Sequence, residues 1–298
     1  MANLKEVRER IGTVKNTQQI TSAMKMVSAA KMSRAAQRIT EMRPYALKLD
    51  EMLTNILTNL EGDASTSFNQ VRPLQHGCVV VVTSSRGLAG AFNTNVIKAA
   101  VKAITEEMRG YQRLDIICIG KKGAEFFRRN YAGQEGVTIN ADFQELFQDL
   151  SFDNTQQVSR LIMNRFAGGM YDRVYVAYAR FKNAAVQFAK AEQFLPVEDK
   201  ETKEEGDSKM KADYIFEPSK EALLEELVPT ILQTKFQSFL LDTNASEHGA
   251  RMTAMDKATE NAQELLRELK ISYNKARQEA ITTEILEIVS GAAALEAG

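Results

Sequence analysis

Both ends of this 298-residue chain are written as long helices, and each carries an apolar stripe that needs cover. At the N-terminal end, Leu4, Val7, Ile11 and Val14 step by 3, 4 and 3, the spacing of a coiled-coil seam. Ile20, Ala23, Val27 and Ala30 keep that spacing with mostly small residues, and Leu49, Leu53, Ile56 and Leu60 resume it. Gly12 and Pro44 are the only glycine and proline in this stretch. A helix of about 55 residues would run ~80 Å at 1.5 Å per residue, too long to wrap inside a domain of this size. The C-terminal end repeats the pattern. Ala262, Leu266, Leu269, Tyr273, Ala276 and Ala280 step by 4, 3, 4, 3 and 4. The stripe then moves by one residue to Ile281, Ile285, Ile288, Ala292 and Leu295. Pairing the ends as an antiparallel coiled coil is the simplest way to bury both stripes.

Between the ends the period changes. GCVVVVTSS at 77–85 and LDIICIG at 114–120 read as strands buried on both faces, and RVYVAYARF at 173–181 as a third. GVTIN at 136–140 reads as a short strand, and AVQFAKAEQF after Asn183 as a strand that pairs back on its predecessor. Helical patterns at about 93–109, around Glu125 and Phe126, and at 155–170 lie between them. Strand alternating with helix predicts a largely parallel, open α/β sheet. The expected fold is thus a Rossmann-like α/β domain over 71–213, inserted between terminal helices over 1–60 and 214–298. The charged run VEDKETKEEGDSKMKAD reads as a solvated loop, and Pro218 with Ser219 as a helix start. Pro229 is expected to bend or interrupt the helix that follows.

Composition removes several kinds of chemistry. Only two histidines, His76 and His248, are present, and neither belongs to a metal-binding spacing. Cys78 and Cys118 lie in apolar runs and read as buried, reduced thiols of a cytosolic protein. No run is long enough to span a membrane, no Gly-x-Ser-x-Gly elbow appears, and the net charge of -1 names no partner. The first residues, MANLKEVRERIGTVK, lack an apolar signal core. SSRGLAGAFN at 84–93 follows a strand and opens a helix, where open α/β sheets bind ligands. It is not G-x-G-x-x-G, has no Gly-Lys-Ser/Thr, and reads as a structural turn. The sequence therefore assigns no catalytic residue, cofactor or metal.

The N-terminal helix carries the stronger signal. Through Lys48 it has ten bases against three acids, a net +7. That bias suits an acidic partner, and the lack of interleaved aromatics before Tyr45 favours protein over nucleic acid. Met24, Met26 and Met32 stand among Ala23, Ser28, Ala29 and Ala30, a soft surface for close helix packing. Three readings follow: a shaft within a larger assembly, a nucleotide-binding enzyme built on the glycine turn, and a coiled-coil scaffold that dimerises.

NTQQITSAMKMVSAAKM at 16–32, SSRGLAGAFN, ARMTAMDKATENA and YNKARQEAITTEILEIVSGAAAL together decide among them. These stretches resemble the gamma subunit of F-type ATP synthases of bacterial type. The resemblance implies a non-catalytic subunit of a proton-transporting ATPase: a central rotor stalk coupling c-ring rotation to ATP synthesis on beta subunits. It implies a single copy per complex, a hexameric ring of alpha and beta subunits around the helices, and an epsilon subunit and a c-ring at the α/β foot. Met24, Lys25, Arg251, Gln278, Thr282 and Glu284 match positions that meet the beta subunit. Tyr214 and Glu217, in DYIFEP, match positions that meet the c-ring. Ser85 and Ala89 stand where Asp and Cys are common in the glycine turn, and the chloroplast cysteine insertion is missing. The start at Leu4 without a transit segment favours the cytoplasmic face of a bacterial inner membrane, held peripherally.

Overall fold

The computed structural model describes residues 4–58, 67–197 and 220–296. The chain forms two compact units, Ala29–Arg251 and the pair Met1–Ser28 with Met252–Gly298. Helix α1 (Leu4–Thr58) and helix α5 (Lys220–Glu296) each contribute to both.

The larger unit holds a five-stranded sheet in the order β3-β2-β1-β4-β5. The strands are β1 (His76–Val82), β2 (Arg113–Ile119), β3 (Val137–Asn140), β4 (Arg173–Phe181) and β5 (Gln187–Leu195). β1, β2, β3 and β4 are joined in parallel, and β5 turns back antiparallel on β4. The helices between them are α2 (Phe92–Lys102), α3 (Lys121–Tyr131) and α4 (Phe152–Ala167). α2 continues into one π-helical turn, Ala103–Glu107.

Successive residues of β1 enter different cores, which explains its unbroken apolar run. Cys78, Val80 and Val82 pack with Ile162 and Phe166 of α4 and Phe236, Phe239 and Leu240 of α5. Val79 and Val81 pack with Phe92, Val96 and Ala100 of α2 and Phe127 of α3. Ala35, Ile39 and Leu49 bring α1 into the first of these cores. Each fully buried large side chain contributes roughly 1.5–3 kcal/mol, so both faces must be covered for the strand to be stable. Gly120 closes the β2–α3 connection with φ +93°, and a Cβ there would come within 2.0 Å of the Thr83 carbonyl oxygen.

Pro229 does not interrupt α5, which runs through it from Lys220. The ring removes one helical hydrogen bond at a cost of about 3 kcal/mol, and burial of Val228, Ile231 and Leu232 on either side offsets that. The charged segment at 197–213 lies almost wholly outside the described residues.

In the smaller unit the two helices run antiparallel. The hydroxyls of Thr21 and Thr259 lie 2.8 Å apart, and Lys25 pairs with Asp256. The seam on α1 follows Val7, Ile11, Val14, Gln18, Thr21, Lys25 and Ser28, all buried or half-buried, in unbroken heptad steps. The stripe expected from Ile20, Ala23 and Val27 is outside it: Ile20 is 60% exposed and Val27 57%. The 3.5-residue repeat set by Val7 carries residue 21 into the seam, and residue 20 is rotated by ~100° from it. The register also limits cover on α5. Leu4, the first described residue, falls opposite the stretch near Arg277, and Ala276 is the last half-buried seam residue of α5. Ala280, Ile281, Ile285 and Ile288, expected to be partly covered by the N-terminal helix, are exposed instead.

Candidate functional site

The turn after β1 is built from hydrogen bonds inside its own chain. The Ser84 backbone N–H donates to Asn93 Oδ1 at 3.0 Å, and the Ser84 hydroxyl donates to the Arg86 carbonyl at 2.6 Å. Ser85 Oγ donates to the Gln144 carbonyl at 3.0 Å. Leu88 (φ 64°) and Gly90 (φ 57°) are both left-handed, which turns the backbone sharply into α2. At the start of α3 the Lys122 and Gly123 N–H groups donate to Ser84 O and Thr83 Oγ1. Amides at these places hold phosphates in nucleotide-binding sheets, and here they are engaged by the fold.

Arg251 belongs to the same unit and is buried, 8% exposed. Its Nη1 donates to Glu247 Oε1 at 2.6 Å, and its Nη2 donates to the carbonyls of Arg86 at 3.2 Å and Gly87 at 3.4 Å. One guanidinium thus ties α5 to the glycine turn. His248, next to this pair, has a buried Nδ1 without a partner. Burial, and then the charges of Arg251 and Lys31, pull its pKa down to about 4. Glu247 was not singled out in the sequence, and His248 only as a histidine outside any metal-binding spacing. Glu247 had a usable signal, four residues before Arg251 on one helix face, whereas nothing marked His248 as enclosed.

At the other end of the sheet, Tyr171 OH donates to Asp115 Oδ2 at 2.8 Å and accepts from Arg165 Nη1 at 2.7 Å. Burial pushes Tyr171 and the neighbouring Cys78 thiol upward. Burial likewise pushes the Cys118 thiol up to about 12. Both cysteines are free and buried, so neither is a thiolate nucleophile near neutral pH. Among the described residues no group of three or more His, Cys, Asp or Glu side chains is placed to hold a metal. No described helix is long and apolar enough to cross a membrane.

The remaining sequence-derived positions lie mainly in the smaller unit. Met24 and Lys25 are half-buried on α1, and Lys25 is held by Asp256. Gln278, Thr282 and Glu284 are exposed on α5. Thr282 Oγ1 donates to the Gln278 carbonyl at 2.9 Å, so these two share a face. Glu284 is two residues further on, about 200° around the helix from Thr282, and does not join them in one patch. Exposed Ile281, Ile285, Leu286, Ile288 and Val289 surround the polar positions. Tyr214 and Glu217 lie outside the described residues.

Comparison with known proteins identifies this arrangement. The family model described as ATP synthase matches residues 3–295. The ATP synthase gamma chain of Cytophaga hutchinsonii is 53% identical over 298 residues, covering 99% of each chain. That of Chlorobaculum tepidum is 43% identical over 300 residues, covering 99% of this chain and 100% of its own. This chain belongs to the ATP synthase gamma chain family. Its fold is also similar to that of solved chains. A chain of the Euglena gracilis mitochondrial ATP synthase, from a structure of OSCP, F1 and c-ring, superposes with a TM-score of 0.64 at 23% identity. That match covers 99% of this chain and 95% of that one. A second Euglena gracilis structure, of the rotor, gives 0.61 at 23% identity, covering 93% and 98%. In this chain the glycine turn is an internal joint tied by Arg251, and residues 278–293 of α5 are exposed among the described residues.

Proposed function

We propose that this chain is the central rotor stalk subunit of an F-type, proton-translocating ATP synthase, coupling c-ring rotation to ATP synthesis on the beta subunits. Family membership supports this, and one structural observation carries it. From Gln278 to Ala293 every residue of α5 is exposed, although the segment is helical and rich in isoleucine. Exposed isoleucine, leucine and valine gathered along one helix mark a surface that another chain covers. A hexameric ring of alpha and beta subunits, with one gamma chain inside it, supplies such a sleeve. Nucleotide chemistry then belongs to beta.

In this reading Met24, Lys25, Gln278, Thr282 and Glu284 touch the beta subunit, and so does Arg251 when the glycine turn it supports is presented to the ring. Residues 71–213 act as the foot on the c-ring beside epsilon, with Tyr214 and Glu217 at the contact. The segments 1–60 and 214–298 form the shaft. The complex sits peripherally at the cytoplasmic face of a bacterial inner membrane.

Truncation after Gln278 tests the reading. The shortened chain is expected to fold and to co-purify with alpha and beta, while ATP-driven proton pumping falls relative to hydrolysis. Unchanged pumping, or a wild-type chain that does not co-purify as one copy per complex, overturns it.

A further inference from the structure

Asp256 has no role in the reading above, yet it is the partner of Lys25. The two residues are 231 positions apart in sequence and meet across the helix pair of the smaller unit. Both stay part exposed, with side-chain exposures of 41% and 43%. Their encounter is set by the register. Thr21 lies one helical turn before Lys25 on α1, and its hydroxyl is 2.8 Å from that of Thr259 on α5. That contact places Asp256 opposite Lys25 and leaves the ion pair at the rim of the seam.

We propose that Asp256 is a positioning residue for Lys25, one that holds the ammonium at the seam and partly neutralises it toward the acidic partner segment that the basic bias of α1 suits. This rests on the stalk reading, in which Lys25 meets beta. A rotating shaft needs contacts that form and break at every step. An unshared ammonium on a helix with a net +7 would hold an acidic segment tightly, because each nearby base adds to the attraction. Sharing the ammonium with Asp256 lowers that attraction and adds a carboxylate that repels the same segment. The pair itself is weak enough to exchange partners, since half-exposed ion pairs are worth at most about 1 kcal/mol. It is nevertheless oriented, because lysine's flexible stem is held on the seam side when Asp256 is charged.

The test uses the whole synthase in sealed vesicles and reads protons pumped per ATP hydrolysed, relative to wild type at each ionic strength. Asp256→Asn is expected to lower that ratio by up to about fivefold at low salt, the scale of one exposed ion pair. The deficit is expected to shrink with added salt, as the Debye length falls from ~30 Å at 0.01 M to ~10 Å at 0.1 M. Asp256→Glu restores the ratio, and Lys25→Gln with Asp256→Asn behaves like Lys25→Gln alone. A wild-type ratio for Asp256→Asn at low salt overturns the proposal. So does a deficit that neither salt nor Lys25→Gln alters, which is what simple disturbance of the helix pair would give. Failure of the stalk reading is distinguishable: the wild-type chain would then be missing from the alpha–beta complex.

Discussion

Every side chain of β1 from Cys78 to Val82 is fully buried, and from Gln278 to Ala293 no side chain of α5 is. The strand segment is apolar throughout, and the helix segment sets isoleucine, leucine and valine among polar residues. The strand finds its cover within the chain because helices lie on both faces of its sheet. Among the described residues the helix does not, because the register that sets Thr21 against Thr259 places Leu4 opposite the stretch near Arg277. One apolar run is therefore a core and the other is a surface. Burial, more than hydrophobicity, separates a residue that holds the fold from one that is available to another subunit.

Substitutions at the two segments should have opposite consequences, and the largest effect belongs to the sheet unit. Phe166 is fully buried in the core between sheet and helices. Phe166→Ala is expected to cost about 3–5 kcal/mol in chemical denaturation, the usual range for an emptied aromatic site. A cost under ~1 kcal/mol would mean the core is loosely packed and would break the contrast.

Next comes the joint between α5 and the glycine turn. Arg251→Ala leaves Glu247 buried without its partner. A loss of about 3 kcal/mol is expected on the same assay, because an uncompensated buried charge is left behind. Glu247→Gln together with Arg251→Met should recover part of it by removing both charges. If Arg251→Ala changes only coupling in the complex and not stability, the residue serves beta more than its own fold.

A smaller effect is expected from pH. His248 titrates at an ordinary 6.5 when unfolded and at about 4 when folded. The unfolded chain therefore binds the proton first as pH falls. Stability is fully present above about 6.5, declines as pH drops toward about 4, and gains no further loss from this group below that. His248→Gln should flatten this part of the profile, measured as the urea midpoint against pH. A profile unchanged by the substitution would show that Nδ1 is hydrated in the native state.

The smallest stability effect belongs to the exposed helix. Ile285 is 55% exposed, so Ile285→Ser is expected to shift stability of the isolated chain by no more than about 0.5 kcal/mol. In the assembled synthase the same substitution should reduce coupling. A large loss of stability in the isolated chain would show that the segment is covered by its own chain in solution.

Much of the fold was legible because its signals are local. The β-branched runs marked β1, β2 and β4, and the reversal after Asn183 marked β5 as the antiparallel edge. Pro218 and Ser219, read as a helix start, lie outside the described residues, and the passage of α5 through Pro229 was not legible, since only the burial of Val228 and Ile231 reveals what outweighs the proline. The seam was legible at Val7, Ile11 and Val14 and misleading at Ile20 and Val27. Apolar residues there suggested burial, but the heptad register gives the inside to Thr21, Lys25 and Ser28.

The candidate site divides the same way. The periodicity of the two ends placed Lys25, Gln278 and Thr282 on helices. That Arg251 turns inward to Glu247 and the Arg86 and Gly87 carbonyls, that Glu284 faces away from Thr282, and that Lys25 is shared with Asp256 depend on long-range packing and helical phase.

By itself the sequence determined the element types, the α/β class and the family, because periodicity, β-branching and long contiguous motifs act over neighbouring residues. Tertiary structure decided which apolar stripes are buried, which charges are paired and where α5 loses its cover. Those outcomes depend on the register between segments more than two hundred residues apart, and no local pattern encodes that register.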